Sequence, residues 1–110
     1  MQQPTGTTFT RYVLFPWPGT AVAGNPGTFA VLVGNNTASS NVDIRIFDIT
    51  ASAVLTGSTI SNISTPAATT PVGSSVGSIT WPASATVLEI QMKQGSINLG
   101  EPQLWEFNIY

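Results

Sequence analysis

The sequence predicts an all-β fold: a two-sheet antiparallel sandwich, jelly-roll-like, of seven or eight strands. Three observations predict it. The chain carries 15 Thr, 11 Ser and 7 Asn, with an apolar fraction of 42% and a charged fraction of only 7%. Residues that favour strands and turns thus stand where a helical protein would place Glu, Lys and Arg. Several segments alternate apolar and polar residues with the period of two that marks a strand with one buried and one wet face. Ten glycines and eight prolines place turn signals at intervals of roughly 8 to 15 residues, close to the spacing of a sandwich. At 110 residues the chain makes one domain, and low charge with abundant apolar side chains favours a packed core over disorder.

Residues 1–8 (M-Q-Q-P-T-G-T-T) read as a polar N-terminal arm containing Pro4, and residues 9–110 as the single sandwich domain. The arm lacks the basic start and apolar core of a signal peptide, so Met1 is expected to begin a complete small protein. Phe9–Phe15 (F-T-R-Y-V-L-F) is the first strand. In the P-W-P that follows, proline on both sides of Trp17 disfavours helix and imposes an extended course. Trp17 is then either a lid on the core or an exposed contact residue. Thr28–Val33 (T-F-A-V-L-V) is nearly continuous in apolar residues and reads as a central strand buried on both faces. Val42–Thr50 (V-D-I-R-I-F-D-I-T) alternates most clearly, with Val42, Ile44 and Ile46 on one face and Asp43 and Arg45 on the other.

Ala53–Ile60 reads as a shorter strand interrupted at Gly57 by a bulge. Ser61–Ser75 holds two prolines and no period, which predicts a long loop suited to meeting a partner. Val76–Trp81 (V-G-S-I-T-W) is a strand closed by Pro82. Thr86–Lys93 follows with Thr86, Leu88, Ile90 and Met92 inward and Val87, Glu89, Gln91 and Lys93 outward. The last strand, Gln103–Tyr110, places Trp105, Phe107 and Ile109 on one face and Glu106, Asn108 and Tyr110 on the other. No helix is expected.

The absence of His and Cys excludes Ser-His-Asp and Cys-His catalysis, the usual zinc sites and any disulfide framework. Lys93 is a solubilising strand residue, not half of a Ser-Lys dyad. Two carboxylates could serve a glycosidase, which directs attention to Asp43, Asp48, Glu89, Glu101 and Glu106. Asp43 and Glu89 lie beside Arg45 and Lys93 on outward faces, where cross-strand charge pairing accounts for them. Asp48 falls on the same face as Ile46. A bulge near Phe47 that turns it outward is the preferred explanation, and hydrogen bonds from the following turn are the alternative. No D-x-D-x-D-G calcium loop is present. No enzyme is expected, and no catalytic residue, metal or cofactor.

Arg11, Arg45 and Lys93 are too few to neutralise a phosphate backbone, and net charge is −2. No apolar run approaches the roughly 20 residues of a membrane span. Neither nucleic acid nor membrane is therefore an expected partner. The sequons Asn35-Asn36-Thr37 and Asn62-Ile63-Ser64 are chance products of a composition rich in Asn, Ser and Thr. What remains is surface. A domain with few charges and many hydroxyls meets little electrostatic repulsion from its own copies, and its strand edges are open to pairing.

The segments I-R-I-F-D-I-T-A-S-A-V-L-T-G-S-T-I and A-T-V-L-E-I-Q-M-K-Q-G-S, with L-W-E-F-N-I-Y at the end, resemble small β-sandwich virion proteins of tailed bacteriophages, of the head decoration or cement type. The likeness covers about residues 42–110, where an R-x-x-D-x-T strand, a later W-P turn and an L-E-I-Q strand recur. It implies a structural protein on the capsid surface, a homodimer or homotrimer that binds the major capsid protein and stabilises the head. The expected contacts are the arm with Pro4, Trp17 in its proline-flanked loop, and Ile63, Pro66 and Pro71 of the long loop. The alternative is a carbohydrate-binding module of a tail fibre or another virion appendage, with a glycan stacked on Trp17, Trp81 or Tyr110.

Overall fold

Nine residues set the frame of the molecule. Ser40–Asp48 forms β3, with Val42, Ile44 and Ile46 fully buried on its inward face. The strand expected from alternation is therefore present, starting two residues earlier. The computed structural model describes residues 8–97 and 99–110; the arm, including Pro4, lies outside them apart from Thr8. Around β3 stand β1 (Thr10–Trp17), β2 (Phe29–Asn35), β4 (Ala53–Val54), β5 (Ile60–Thr65), β6 (Val72–Val76), β7 (Thr86–Gln94) and β8 (Pro102–Ile109). A single helical turn, α1 (Thr20–Ala23), lies in the connection between β1 and β2, where no helix was expected.

The strands make two antiparallel sheets that pack face to face as a sandwich. One has the order β1-β7-β3, with β4 and β5 sharing the far edge of β3; the other has the order β6-β2-β8. Every connection except β3–β4 and β4–β5 crosses from one sheet to the other, a jelly-roll-like habit. Register is dictated by burial, because a slip of one residue on β3 would drive Asp43 and Arg45 into the core. Phe29, Val33, Val42, Ile44, Ile46, Leu88, Ile90 and Met92 are each fully buried. Each such side chain stabilises the fold by about 1.5–3 kcal/mol relative to exposure. The inward and outward residues of β7 follow the alternation read from the sequence.

Other expectations are corrected by pairing that no local pattern encodes. Ser61–Ser75 is not one long loop, for β5 pairs with β3 and β6 with β2, leaving only 66–71 between them. The segment 77–81 is irregular and not a strand; Ser78 takes a left-handed conformation there (φ 58°) that ends extended pairing. Of Ala53–Ile60, Ala53–Val54 forms β4 and Ile60 opens β5, and Gly57 (φ 85°) sits in a turn, not a bulge. β2 is central in its sheet but buries one face only, its other residues Ala30 and Leu32 being half-buried.

Candidate functional site

Three parts of the surface hold organised side chains. The first is the outer face of the larger sheet. Alternation on β3 and β7, with Arg11 on β1, brings all three basic residues of the chain to this face. Arg11 Nε donates to Glu89 Oε2, Lys93 Nζ lies 2.9 Å from Asp43 Oδ2, and Arg45 Nε donates to Gln91 Oε1 at 2.7 Å. The Gln91 amide also donates to Glu89 Oε1. The Arg45 guanidinium lies 3.8 Å from the ring centroid of Phe9, a cation–π contact. Burial there lowers its pKa, while nearby Glu89 acts in the opposite direction. Asp43, Glu89 and Gln91 are buried although they point away from the core, because these longer side chains roof them. Two of the three cations are thus paired with carboxylates, while Arg45 is held by a neutral amide and an aromatic ring. Cross-strand pairing was the expected use of Asp43 and Glu89, and Asp43 additionally accepts the Asn62 backbone N–H at 2.7 Å.

The second part is the end of the sandwich where β1 leaves the sheet. Pro16 and Pro18 hold the chain extended around Trp17, whose ring stacks on that of Trp81 with centroids 4.9 Å apart and planes 24° off parallel. Trp17 Nε1 donates to the Pro82 carbonyl at 2.8 Å and Trp81 Nε1 to the Pro26 carbonyl at 2.9 Å. Both rings are buried, so Trp17 is the lid on the core and not an exposed contact residue. Neither ring presents a face to a sugar. Gly19 fits beside them because it adopts φ 95° and passes so close to Ala83 that any side chain would meet its carbonyl. Next to this pair lies an open cleft of about 280 Å³ lined by Asp48, Thr50, Ala51 and residues 82–86. Asp48 Oδ1 accepts the Thr86 hydroxyl at 2.8 Å and the Ala51 N–H at 3.2 Å. Pairing of β3 with β7 is continuous from Val42 to Asp48, so the preferred bulge at Phe47 is absent and hydrogen bonds from the turn explain Asp48.

The third part is the outer face of the smaller sheet. A bulge opposite Leu32–Val33 breaks the alternation of β8. Leu104, Phe107 and Ile109 pack on the core, while Trp105 turns outward and is 53% exposed. The expected face for Trp105 is thereby reversed, since one extra residue in a strand moves its neighbours to the opposite side. Its indole lies over Gly34 of β2, where a Cβ would sit 3.0 Å from Nε1. Trp105 is the functional candidate that alternation concealed. The only sequence signal for it is a glycine in an apolar strand.

The loops add order to the end of the molecule near Trp105. Asn41 Oδ1 accepts the Ile97 N–H at 3.0 Å, Asn62 Oδ1 the Ser96 N–H at 2.9 Å, and Asn36 Oδ1 the Glu101 N–H at 2.8 Å. Ser40 donates to the carbonyls of Ile97 and Leu99. The side chains of Ile97 and Leu99 are exposed beside this clasp. Of the contacts expected in the long loop, Ile63 is instead a core residue of β5, Pro66 is exposed, and Pro71 is half-buried. Asn35 of the first sequon is fully buried, and Asn62 of the second uses its side-chain oxygen in the clasp. No family model matches the chain, and no curated protein or solved structure matches it.

Proposed function

We propose that the chain is a non-catalytic structural protein of a virion, a decoration protein that binds the major capsid protein on the outer surface of a phage head and stabilises it. The observation that carries this reading is the outer edge of β6. Sandwich proteins guard their edges with charge, proline or bulges. Here β1, β5 and β8 each contain a register break, whereas β6 pairs with β2 in unbroken register over Val72–Val76, V-G-S-S-V, with no charge and no proline. No backbone hydrogen bond joins its outer edge to any described residue. Beside it the loop 66–71 exposes Pro66. An unguarded neutral edge can accept a strand from a second copy or from the capsid protein. Binding only the assembled shell favours that shell by mass action.

The test is size-exclusion chromatography with light scattering, followed by co-sedimentation with phage heads that lack the protein. A discrete dimer or trimer that pellets with the heads is the expected result. A Gly73→Lys variant is expected to pellet at least tenfold less. A Cβ at Gly73 meets nothing nearer than 3.9 Å, so the substitution adds charge to the edge without disturbing the core. A monomer that ignores the heads removes the proposal.

A further inference from the structure

The outer face of the smaller sheet has a second set of properties, independent of the β6 edge. The bulge in β8 turns both Trp105 and Glu106 away from the core, and the alternation beyond it sends Asn108 and Tyr110 the same way. Tyr110 is 70% exposed, yet its backbone is tied to Thr28 by hydrogen bonds in both directions. The two exposed aromatics thus stand opposite Leu32–Val33 and Thr28 of the neighbouring chain segment, about 15 Å apart at the spacing of extended strand residues. Between them lie a carboxylate and an amide, and Gln103 places its side-chain oxygen 3.6 Å from the same Gly34 position that seats the indole. The indole N–H groups of Trp17 and Trp81 are consumed by carbonyls. That of Trp105 donates to no described residue.

Charge and size then select the partner. All three basic residues belong to the opposite sheet, so this face offers no cation to pair with phosphate, sulfate or uronate groups, and Glu106 adds a carboxylate to it. Three strands of about seven residues present a face of roughly 14 by 24 Å in projection, long enough for several sugar rings in a row. A pyranose ring offers an apolar C–H face to an aromatic ring and a rim of hydroxyls to amides and carboxylates. From these observations we infer that the outer face of β2 and β8 is a binding platform for a neutral oligosaccharide, with Trp105 as the stacking residue, Gln103, Glu106 and Asn108 as hydrogen-bonding partners, and Tyr110 at the far end. The site stands whether or not β6 assembles.

Affinity electrophoresis through gels containing hydroxyethylcellulose, galactomannan or dextran, with polygalacturonate as the acidic comparison, tests the platform. Retardation by at least one neutral polysaccharide and none by polygalacturonate is expected. Trp105→Ala is expected to weaken binding about tenfold or more, equivalent to about 1.4 kcal/mol, and Trp105→Tyr to retain part of it. Gly34→Val keeps the indole but fills its seat, and is expected to weaken binding as well. Tryptophan emission is expected to shift to shorter wavelength on binding in the native chain and not in Trp105→Tyr, because the other two indoles are buried. Three results overturn the inference: no retardation by any neutral polysaccharide, retardation unchanged in a folded Trp105→Ala protein, or stronger retardation by polygalacturonate.

Discussion

Tyr12 shows how much one residue can join. It occupies the bulge of β1, where two residues face one on β7, and so its ring turns inward and its hydroxyl donates to the Pro102 carbonyl at 2.7 Å at the start of β8. One hydrogen bond thereby links the edges of the two sheets. Burial, reinforced by the charge of Glu101, pushes the phenol well above its ordinary pKa of about 10. The folded-state value is raised above the unfolded value, so the stabilisation is complete below about pH 10 and is lost progressively as pH climbs above it. Thermal unfolding between pH 8 and 11.5 is expected to show a falling melting temperature at the alkaline end. Tyr12→Phe is expected to lower neutral stability by about 1 kcal/mol through the lost hydrogen bond and to flatten the alkaline decline relative to the native chain.

At the scale of elements, the asparagines of the Trp105 end act as a set. Short side-chain amides suit positions where backbone N–H groups lack a strand partner, and the turn from β7 to β8 is such a place. Asn41, Asn62 and Asn36 each cap one N–H of that turn, and Asn41 also donates to Ser96 at 3.2 Å. Gly95 is forced by the same crowding, since a Cβ there would meet the Asn41 and Asn62 amide oxygens. Removing Asn41 leaves the half-buried Ile97 N–H unpaired, a loss of about 1–2 kcal/mol. Asn41→Ala is therefore expected to speed hydrogen exchange at the Ile97 amide selectively while amides of the β3–β7 pairing exchange as before. A uniform rise across the chain would show that the clasp supports the whole sandwich and not the turn alone.

For the molecule as a whole, the governing fact is that partners in the sheets are distant in sequence. Thr10 pairs with Met92, Phe29 with both Val76 and Ile109, and Val42 with Gln94. Loop-closure entropy must be met before such contacts return any energy, so folding in milliseconds to seconds is expected, far from the microseconds of helical bundles. Stopped-flow tryptophan fluorescence measures it directly, since the Trp17–Trp81 stack joins residues from the first strand and from the irregular segment before β7. A microsecond phase carrying the full amplitude would contradict this account. The division of charge has the same global origin, because only the finished sheets place Arg11, Arg45 and Lys93 together and leave the other face free of basic residues.

The class of fold, the central β3 and β7 strands, the identity of most core residues and the pairing role of Asp43 and Glu89 are legible in the chain alone. Each of these follows from an alternating pattern that is read locally and rewarded locally by burial. Long-range pairing settles the rest: β5 and β6 become strands because an edge of β3 or β2 is there to receive them, and 77–81 loses strand character. The candidate site belongs to the second group. Trp105 reads as a core residue until a bulge paired against Leu32 and Val33 turns it outward, and Trp17 and Trp81 leave the surface because they find each other. A bulge and a stacking partner are relations between distant segments, and no window of the sequence contains both halves of either.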